Sequence, residues 1–384
     1  MSGRDGGPDV SILSSGHDVA DARLHRYCAA LHRAGLRVEV IARGQAGDAP
    51  EHTVFRPIAV RGIAGRGMKA LVLPSRARGR VLVAFDPDLI PAARLRRVFS
   101  RGRRLAVDVQ EDYLALLNDR AWAHGAVGLT ARLWARSAVA LARNADLTAV
   151  ADHHVPPTEA ASRLVVRNLP DLSMLPPPVE PAEQPRALYI GDVRESRGLF
   201  AMLRMIELAP DWELDIVGPV SARDRERLAA WTSGSEAAGR VRLHGRMPPQ
   251  AAWRLAQGAW TGLSLLSSTP AFEDAMPSKI YEYFACGLPV LSSPIRRAAE
   301  LVEQAGAGAV VADPEEAAAV LRGWSADRRG NYEVCRKAAQ EWALRELVVE
   351  NPHDVFAARV ADLVAQTRRG SSTRLALPVT DEAR

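Results

Sequence analysis

Residues Glu273 to Ser293 read EDAMPSKIYEYFACGLPVLSS, which puts a proline, a serine, a lysine and a glutamate at the start of a short helix. Pro277 suits the first helical turn, where its missing donor would be an orphan in any case. Ser278 and Lys279 follow at the N-terminal end. Free backbone N–H groups, the helix macrodipole and an ammonium would together stabilise a phosphate there. Glu282 lies on the next turn of the same face, where a carboxylate repels a diphosphate but accepts the protons of a neighbouring hydroxyl pair such as a ribose. Tyr281, Phe284 and Ala285 can pack the other side, and Cys286-Gly287-Leu288-Pro289 ends the helix. The plainer alternative is a surface Lys279–Glu282 ion pair worth about 0.2–0.5 kcal/mol. It accounts for the cap and the stop but not for the acidic Glu273-Asp274 just ahead.

Lysine occurs only at positions 69, 279 and 337, and arginine supplies the remaining basic charge. A slim point charge retained at 279 fits a tight anion site better than a planar guanidinium. His17, after Ser14-Ser15-Gly16 at the end of the first strand, could contact an acceptor or a diphosphate, or serve as a structural or solvated histidine. His153-His154 carry the same two readings, and Asp108, Glu111 and Asp112 are weaker acceptor candidates against packing or solvated-loop roles. Cys28, Cys286 and Cys335 are far apart and have no metal-ligand spacing, so no metal site is expected. They read as reduced, buried small hydrophobes.

The elements that must position these groups alternate. "DVSILSS" is a strand, "DARLHRYCAALHRAG" a helix with apolar Leu24, Tyr27, Cys28 and Leu31 and a stop at Gly35, and "RVEVIAR" the next strand. That βαβ unit implies a parallel sheet. Further strands are expected at "RVLVAFD", "RRLAVDVQ", "DLTAVAD" and "SRLVVRN", with a helix at "ARLWARSAVALARNA". Leu169 to Pro185 carries six prolines and reads as an interdomain linker. A second series follows: strands at "RALYIGD", "WELDIVG", "RVRLHG", "GLSLLSS", "VLSS" and "GAVVAD", with helices near 199–208, 224–231, after Pro314 and over 332–346. We expect an α/β chain with domains over 1–172 and 186–350, a helix over 351–370 placed to return to the first domain, and a loose tail over 371–384. Two such domains would face one another across a cleft, with ligands at the C-terminal strand edges.

With 384 residues, 47% hydrophobic and 25% charged, the chain has the composition of a folded protein large enough for two cores. Its net charge of +5 would suit an anionic ligand, nucleic acid or an acidic membrane, although the arginine bias runs through the whole sequence. The opening "MSGRDGGPDVSILSSG" lacks an apolar signal core and no run of eighteen apolar residues occurs, so a cytoplasmic location is expected. Arg61 to Arg80 is basic with enough apolar residues to be amphipathic, which leaves peripheral contact with an anionic membrane open beside an ordinary solvated face.

The segment around Lys279 resembles the signature of retaining nucleotide-sugar glycosyltransferases of the GT-B fold, with two Rossmann-like domains, especially the family 4 branch. There an acidic residue, seven intervening residues and a glutamate mark the donor site, here Asp274 and Glu282, with Glu273 competing for the first position. The resemblance implies that Glu282 binds the donor ribose and that Asp274 sits by the sugar hydroxyls. "LYIGDVRESRGLF" is similar to the first strand and loop of the second domain, with Gly191 as the glycine and Arg197-Gly198 for the usual lysine-glycine; Asp192 stands where arginine is common, and Arg194 is the candidate to replace it. "LDIVGP" and "VRLHGRMP" resemble the next two strand ends, with Gly218 and Gly245 where backbone approaches the nucleotide; "VVRNLPD" resembles the turn at the domain junction. In the first domain "HDVADARLHRYCAALHRAGLRVEVIA" resembles the opening βα unit, with Asp21 and Arg23 in recognisable positions, and "DVQEDY" has Gln110 where histidine is frequent.

The resemblance implies an acceptor-binding first domain, with Gly16, His17, Asp21, Asp108 and Glu111 as its candidates, and a nucleotide-sugar-binding second domain. It further implies transfer from a nucleoside diphosphate sugar, UDP- or GDP-linked, to a glycan, lipid-linked or small-molecule hydroxyl. Retention of configuration, and no metal or resident cofactor, are also implied. Arg197, Lys279 and Ser278 would stabilise charge growing on the leaving diphosphate. A nonenzymatic nucleotide- or nucleic-acid-binding protein is the different-class alternative, although no recognition-helix, zinc or aromatic RNA-binding pattern is present. An epimerase or phosphorylase on the same fold is the other.

Overall fold

The computed structural model describes residues 6–100, 102–118, 125–269, 272 and 276–372. Up to Asn168 and again from Glu350 the chain forms one unit, and Leu169–Val349 forms a second.

In the first unit the strands are β1 (Val10–Asp18), β2 (Val38–Arg43), β3 (Thr53–Pro57), β4 (Val81–Ala84), β5 (Arg104–Val109), β6 (Leu147–Val150) and β7 (Arg163–Val165). They form one parallel sheet in the order β3-β2-β1-β4-β5-β6-β7. The apolar runs are near-continuous because both faces are covered, as parallel sheets require. The two-residue period then sorts them: Val10, Ile12, Val81, Val83 and Ala106 pack under the helices Ala22–Arg33 and Pro352–Ser372. Leu13, Leu82, Ala84, Leu105 and Val107 pack under Gly62–Arg76, Ile90–Phe99 and Gly125–Ala142. Helix Ala22–Arg33 ends where Gly35 adopts φ +74° and its N–H bonds back to His32 at 2.8 Å. Strand β3 escaped sequence reading because it is short, lies at the edge and ends in a proline, so it carries little apolar alternation.

The second unit repeats the architecture with β8 (Arg186–Ile190), β9 (Glu213–Val217), β10 (Val241–Gly245), β11 (Thr261–Ser264), β12 (Val290–Ser292) and β13 (Gly308–Val310). All neighbours are parallel, in the order β10-β9-β8-β11-β12-β13. Tyr189, Ile216 and Leu263 share a core with helices Leu199–Leu208 and Pro314–Ala326. Leu188, Val217 and Val290 share one with Lys279–Ala285 and Glu333–Glu346. The units divide at Asn168, four residues before the expected boundary, because the proline-rich stretch is tied to the second unit. There Ala182 N–H donates to Gly258 at 3.0 Å, Trp260 Nε1 to the Ala182 carbonyl at 2.8 Å and Arg328 to the Pro181 carbonyl at 2.8 Å.

A buried ion pair locks the first unit. Arg23, 5% exposed, reaches fully buried Asp108 through Nε at 2.9 Å and a terminal nitrogen at 2.7 Å, while Tyr27 donates to the same carboxylate at 2.9 Å. Arg23 also donates to the Val166 carbonyl at 3.0 Å, which joins helix, β5 and the end of β7. Asp21 caps that helix by accepting from Arg23 N–H at 2.9 Å and Leu24 N–H at 3.2 Å. Asp108→Ala leaves a guanidinium buried without its partner, so denaturant unfolding should show a loss of about 3–5 kcal/mol. A loss well under about 1 kcal/mol would show that the pair is not what holds these elements together.

Candidate active site

Strand order reverses once in each sheet, between β1 and β4 in the first unit and between β8 and β11 in the second. In open parallel sheets the crevice outside such a reversal is where ligands bind. The residues with unusual chemistry gather at these two places.

In the second unit, Gly191, Gly218 and Gly245 stand at the ends of the adjacent strands β8, β9 and β10. Gly191 N–H donates to the Val217 carbonyl at 3.0 Å and Gly218 N–H to that of Gly245 at 2.7 Å. A side chain at Gly218 would set its first carbon 1.8 Å from the Gly191 carbonyl oxygen, at a φ of +139°, so only glycine fits. Lys279 opens the helix after β11 and turns back under this edge. Its ammonium lies 3.9 Å from the centroid of the Tyr189 ring and 3.1 Å from where a first side-chain carbon on Gly191 would be. The residue is 8% exposed, and Nζ has no hydrogen-bond partner among the described residues. Burial, and then the nearby Arg197 charge, bring its pKa down to about 7 against the opposing pull of Glu282 and Asp192. The ring beneath it offsets part of that cost as a cation–π contact. Tyr189 is fixed by donating its hydroxyl to the Asp192 carbonyl at 2.7 Å.

Arg197 ends a 3-10 turn, Glu195–Arg197, and its Nε is also buried with no hydrogen-bond partner among the described residues. Its guanidinium is 5.6 Å from the centroid of the Phe272 ring. Gly198 next to it has φ +86° and passes so close to β11 that a side-chain carbon would fall 2.1 Å from the Leu265 carbonyl oxygen. Glu282 is 6% exposed. The burial of both Lys279 and Glu282 removes the surface-pair reading of this helix. Ser278 precedes the helix without a side-chain cap. Arg194 is paired with Asp192, so the charge it was expected to supply is met by its own neighbour. Glu273 and Asp274 lie outside the described residues. Beside Gly198 a pocket of about 330 Å³ opens at the ends of β11, β12 and β13, with Leu265, Ser267, Ser268 and Ser293 in its wall. Among the described residues no group of three His, Cys, Asp or Glu side chains is placed to hold a metal ion.

In the first unit β1 and β4 pair as far as Leu13 and Ala84, and β1 then bulges. The Asp86 carboxylate fills the bulge: it accepts from Ser14 Oγ at 2.6 Å, Ser15 N–H at 2.9 Å and Gly16 N–H at 3.1 Å. His17 Nδ1 lies 2.9 Å from its other oxygen, and Arg66 reaches that oxygen at 3.1 Å. Burial opposes a charge on His17, but the hydrogen bond and charge of Asp86 outweigh it and push the pKa up to about 9. Burial likewise opposes the Asp86 carboxylate, yet His17, Ser14 and Arg66 hold it down to about 2. A side chain on Gly16 would strike the Arg66 guanidinium at 2.6 Å.

The structure therefore brings Gly16 and His17 together with Asp86 and Arg66, two residues sequence reading missed, although "VAFD" had put Asp86 at a strand end. Asp21 and Asp108 are not brought there as free groups. One caps a helix and the other is wholly engaged in the core, so their part is structural. Glu111 is exposed just beyond β5, as are His153 and His154 on their turn. Tyr189 was also missed; its signal is an aromatic two residues ahead of a strand-end glycine.

Because the folded pKa of His17 lies above the ordinary 6.5, its pairing stabilises fully below pH 6.5 and is lost as pH rises through about 9. The urea midpoint of the first unit should fall across that window, and His17→Gln should flatten the fall. An equal fall in the variant would assign the effect to another group.

Residues 175–342 match the sequence model of the family described as glycosyl transferases group 1. No curated protein matches the chain in sequence. Among solved structures it is similar to sucrose-phosphate synthase from Thermosynechococcus elongatus, at 15% identity and a TM-score of 0.62, covering 95% of this chain and 99% of that one. It is also similar to WaaG, a glycosyltransferase involved in lipopolysaccharide biosynthesis, at 16% identity and a TM-score of 0.58 over 90% of this chain and 98% of that one. Anabaena HepE in complex with UDP-glucose aligns at 15% identity and a TM-score of 0.57 over 95% and 99%. At such identities the likeness is one of fold. The chain thus has the GT-B fold with two Rossmann-like domains, and its residues 175–342 are similar to the group 1 glycosyl transferases.

Proposed function

We propose that the protein transfers a hexose-like group from a UDP- or GDP-linked sugar to an acceptor hydroxyl, with retention of the anomeric configuration, in the synthesis of a polysaccharide, glycolipid or other glycoconjugate. The observation that carries this reading is the buried Lys279 ammonium with no hydrogen-bond partner among the described residues, beside Arg197 and under a glycine edge at the strand reversal. A buried ammonium and a buried guanidinium Nε, both without hydrogen-bond partners among the described residues, are destabilising alone and become favourable when an anion arrives. A diphosphate suits this site, because it brings negative charge and acceptor oxygens to both cations. That HepE holds UDP-glucose in its own structure supports the donor class.

As the bond from the anomeric carbon to the diphosphate oxygen breaks, negative charge grows on that oxygen, where Lys279 and Arg197 stabilise it. The acceptor oxygen bonds the carbon from the face the diphosphate leaves, and its proton passes to the leaving phosphate oxygen. Glu282 accepts from the ribose hydroxyls, and the serine-lined pocket beside Gly198 receives the sugar. Asp274 is assigned to the sugar hydroxyls on the family resemblance of its segment. The first unit binds the acceptor, with His17 and Gly16 nearest the reversal of its sheet. A His17 held protonated below about pH 9 would donate to an acceptor or phosphate oxygen rather than act as a base.

Lys279→Met should keep the fold and reduce turnover of a productive donor by about 10²–10³-fold, the usual cost of removing one preorganised charge-stabilising group. Unchanged turnover would remove Lys279 from this role. Since the Lys279 pKa is about 7 against 10.5 in an unfolded chain, the unfolded state binds more protons between those values, and stability without nucleotide should rise across that window. The same variant should abolish the rise. Nucleotide would restore the ammonium, so titration calorimetry above pH 7 in buffers of different ionisation enthalpy should register proton uptake in the wild type and none in the variant.

Glu282→Gln should weaken nucleoside diphosphate binding by about tenfold or more, the value of hydrogen bonds to a charged acceptor. Equal affinity by calorimetry would exclude ribose recognition by this carboxylate.

A further inference from the structure

The helices Gly62–Arg76, Ile90–Phe99 and Gly125–Ala142 lie side by side on one face of the first unit's sheet, each neighbour packed on the next. Each buries one stripe in the core, as expected of a surface helix. Each also carries a second apolar stripe at helical spacing on its outer side. Met68 and Leu71 are 64% and 62% exposed on the first. Leu95 and Phe99 are 59% and 77% exposed on the second, and Leu129 and Leu133 are 59% and 53% exposed on the third. Of the seventeen large exposed hydrophobics among the described residues, nine lie on these three helices, so the exposure is concentrated rather than scattered.

The charge on the same elements has one sign. None of the three helices contains an aspartate or glutamate, whereas together they carry Arg66, Lys69, Arg76, Arg94, Arg96, Arg97, Arg132 and Arg136. Arg66 is committed to Asp86 and Asp88, Arg97 to Asp146 and Arg94 to the Asn144 carbonyl, so the basic character facing outward rests on the others. Apolar side chains interleaved with basic ones, with no carboxylate among them, complement a surface that offers hydrocarbon behind a layer of negative charge. Among the described residues no helix is long and apolar enough to cross a membrane, so such contact would lie in the interface.

We propose that this three-helix face docks the first unit on an anionic phospholipid bilayer. The apolar residues insert among the acyl chains near the headgroups, and Lys69, Arg96 and Arg136 meet the phosphates. This inference goes beyond the donor reading and does not depend on it.

Flotation of the full chain with vesicles of phosphatidylcholine containing about 30% phosphatidylglycerol, beside vesicles of phosphatidylcholine alone, tests the proposal. The anionic vesicles should retain the protein, with affinity falling steeply as salt is raised, and the neutral ones should retain at least about tenfold less. The double variant Leu71→Glu with Phe99→Glu changes exposed positions only and should release it, as should Lys69→Gln with Arg136→Gln, each with a wild-type circular dichroism spectrum and unaltered nucleotide affinity. No retention by anionic vesicles, or retention that both variants leave intact, would overturn the proposal. So would a concentration-dependent dimer, seen by light scattering without lipid and abolished by Leu71→Glu with Phe99→Glu, because the face would then join two copies of the chain.

Discussion

Holding an ammonium out of water with no hydrogen-bond acceptor among the described residues is the constraint around which the second unit is arranged. The Tyr189 ring lies beneath Lys279, the bare Gly191 backbone passes above it, and the Tyr189 hydroxyl is committed to the Asp192 carbonyl. Gly198 presses the Arg197 turn against β11, so a second cation stands close enough to depress the first. The parallel sheet makes this arrangement affordable. Its buried faces supply the stability that lets a few groups at one strand edge be kept in an unfavourable state.

The reversal of the first sheet uses the opposite sign. There the buried charge is a carboxylate that accepts from Ser14 and two backbone N–H groups and lies against the cations of His17 and Arg66. A satisfied carboxylate of this kind rigidifies the bulge that carries Gly16 and His17 and fixes which ring nitrogen faces inward. Two copies of one architecture thus present different chemistry at corresponding places. One is a network around a carboxylate that shapes a loop; the other holds a lysine Nζ and an arginine Nε without hydrogen-bond partners among the described residues. That difference agrees with assigning the donor to the second unit and the acceptor to the first.

The same division between buried and presented surface organises the outside of the first unit. The helix Ala22–Arg33 on one face of its sheet is capped by Asp21 and packed against the returning Pro352–Ser372 helix, whose Phe356 and Val360 complete that core. The helices on the other face complete their core with one stripe and leave a second apolar stripe outward, among basic groups.

The sequence by itself determined the alternation of strands and helices, because a two-residue apolar period and a 3.6-residue period are local properties that tertiary context rarely reverses when both are strong. It also marked Gly191, Gly218 and Gly198, whose positive φ and close backbone approach no other residue tolerates. It placed Lys279 and Glu282 at a helix start, but could not say whether they were buried, since burial depends on what packs from β8 and the Glu195–Arg197 turn. Nor could it separate Asp108 from Asp86. Both are aspartates at strand ends, and only the fold sends one to Arg23 in the core and the other into the β1 bulge beside His17. Strand order was likewise out of reach of local pattern, and with it the two reversals that select these residues. Which elements become neighbours is settled by long-range packing, and the chemistry of a charged side chain follows from its neighbours.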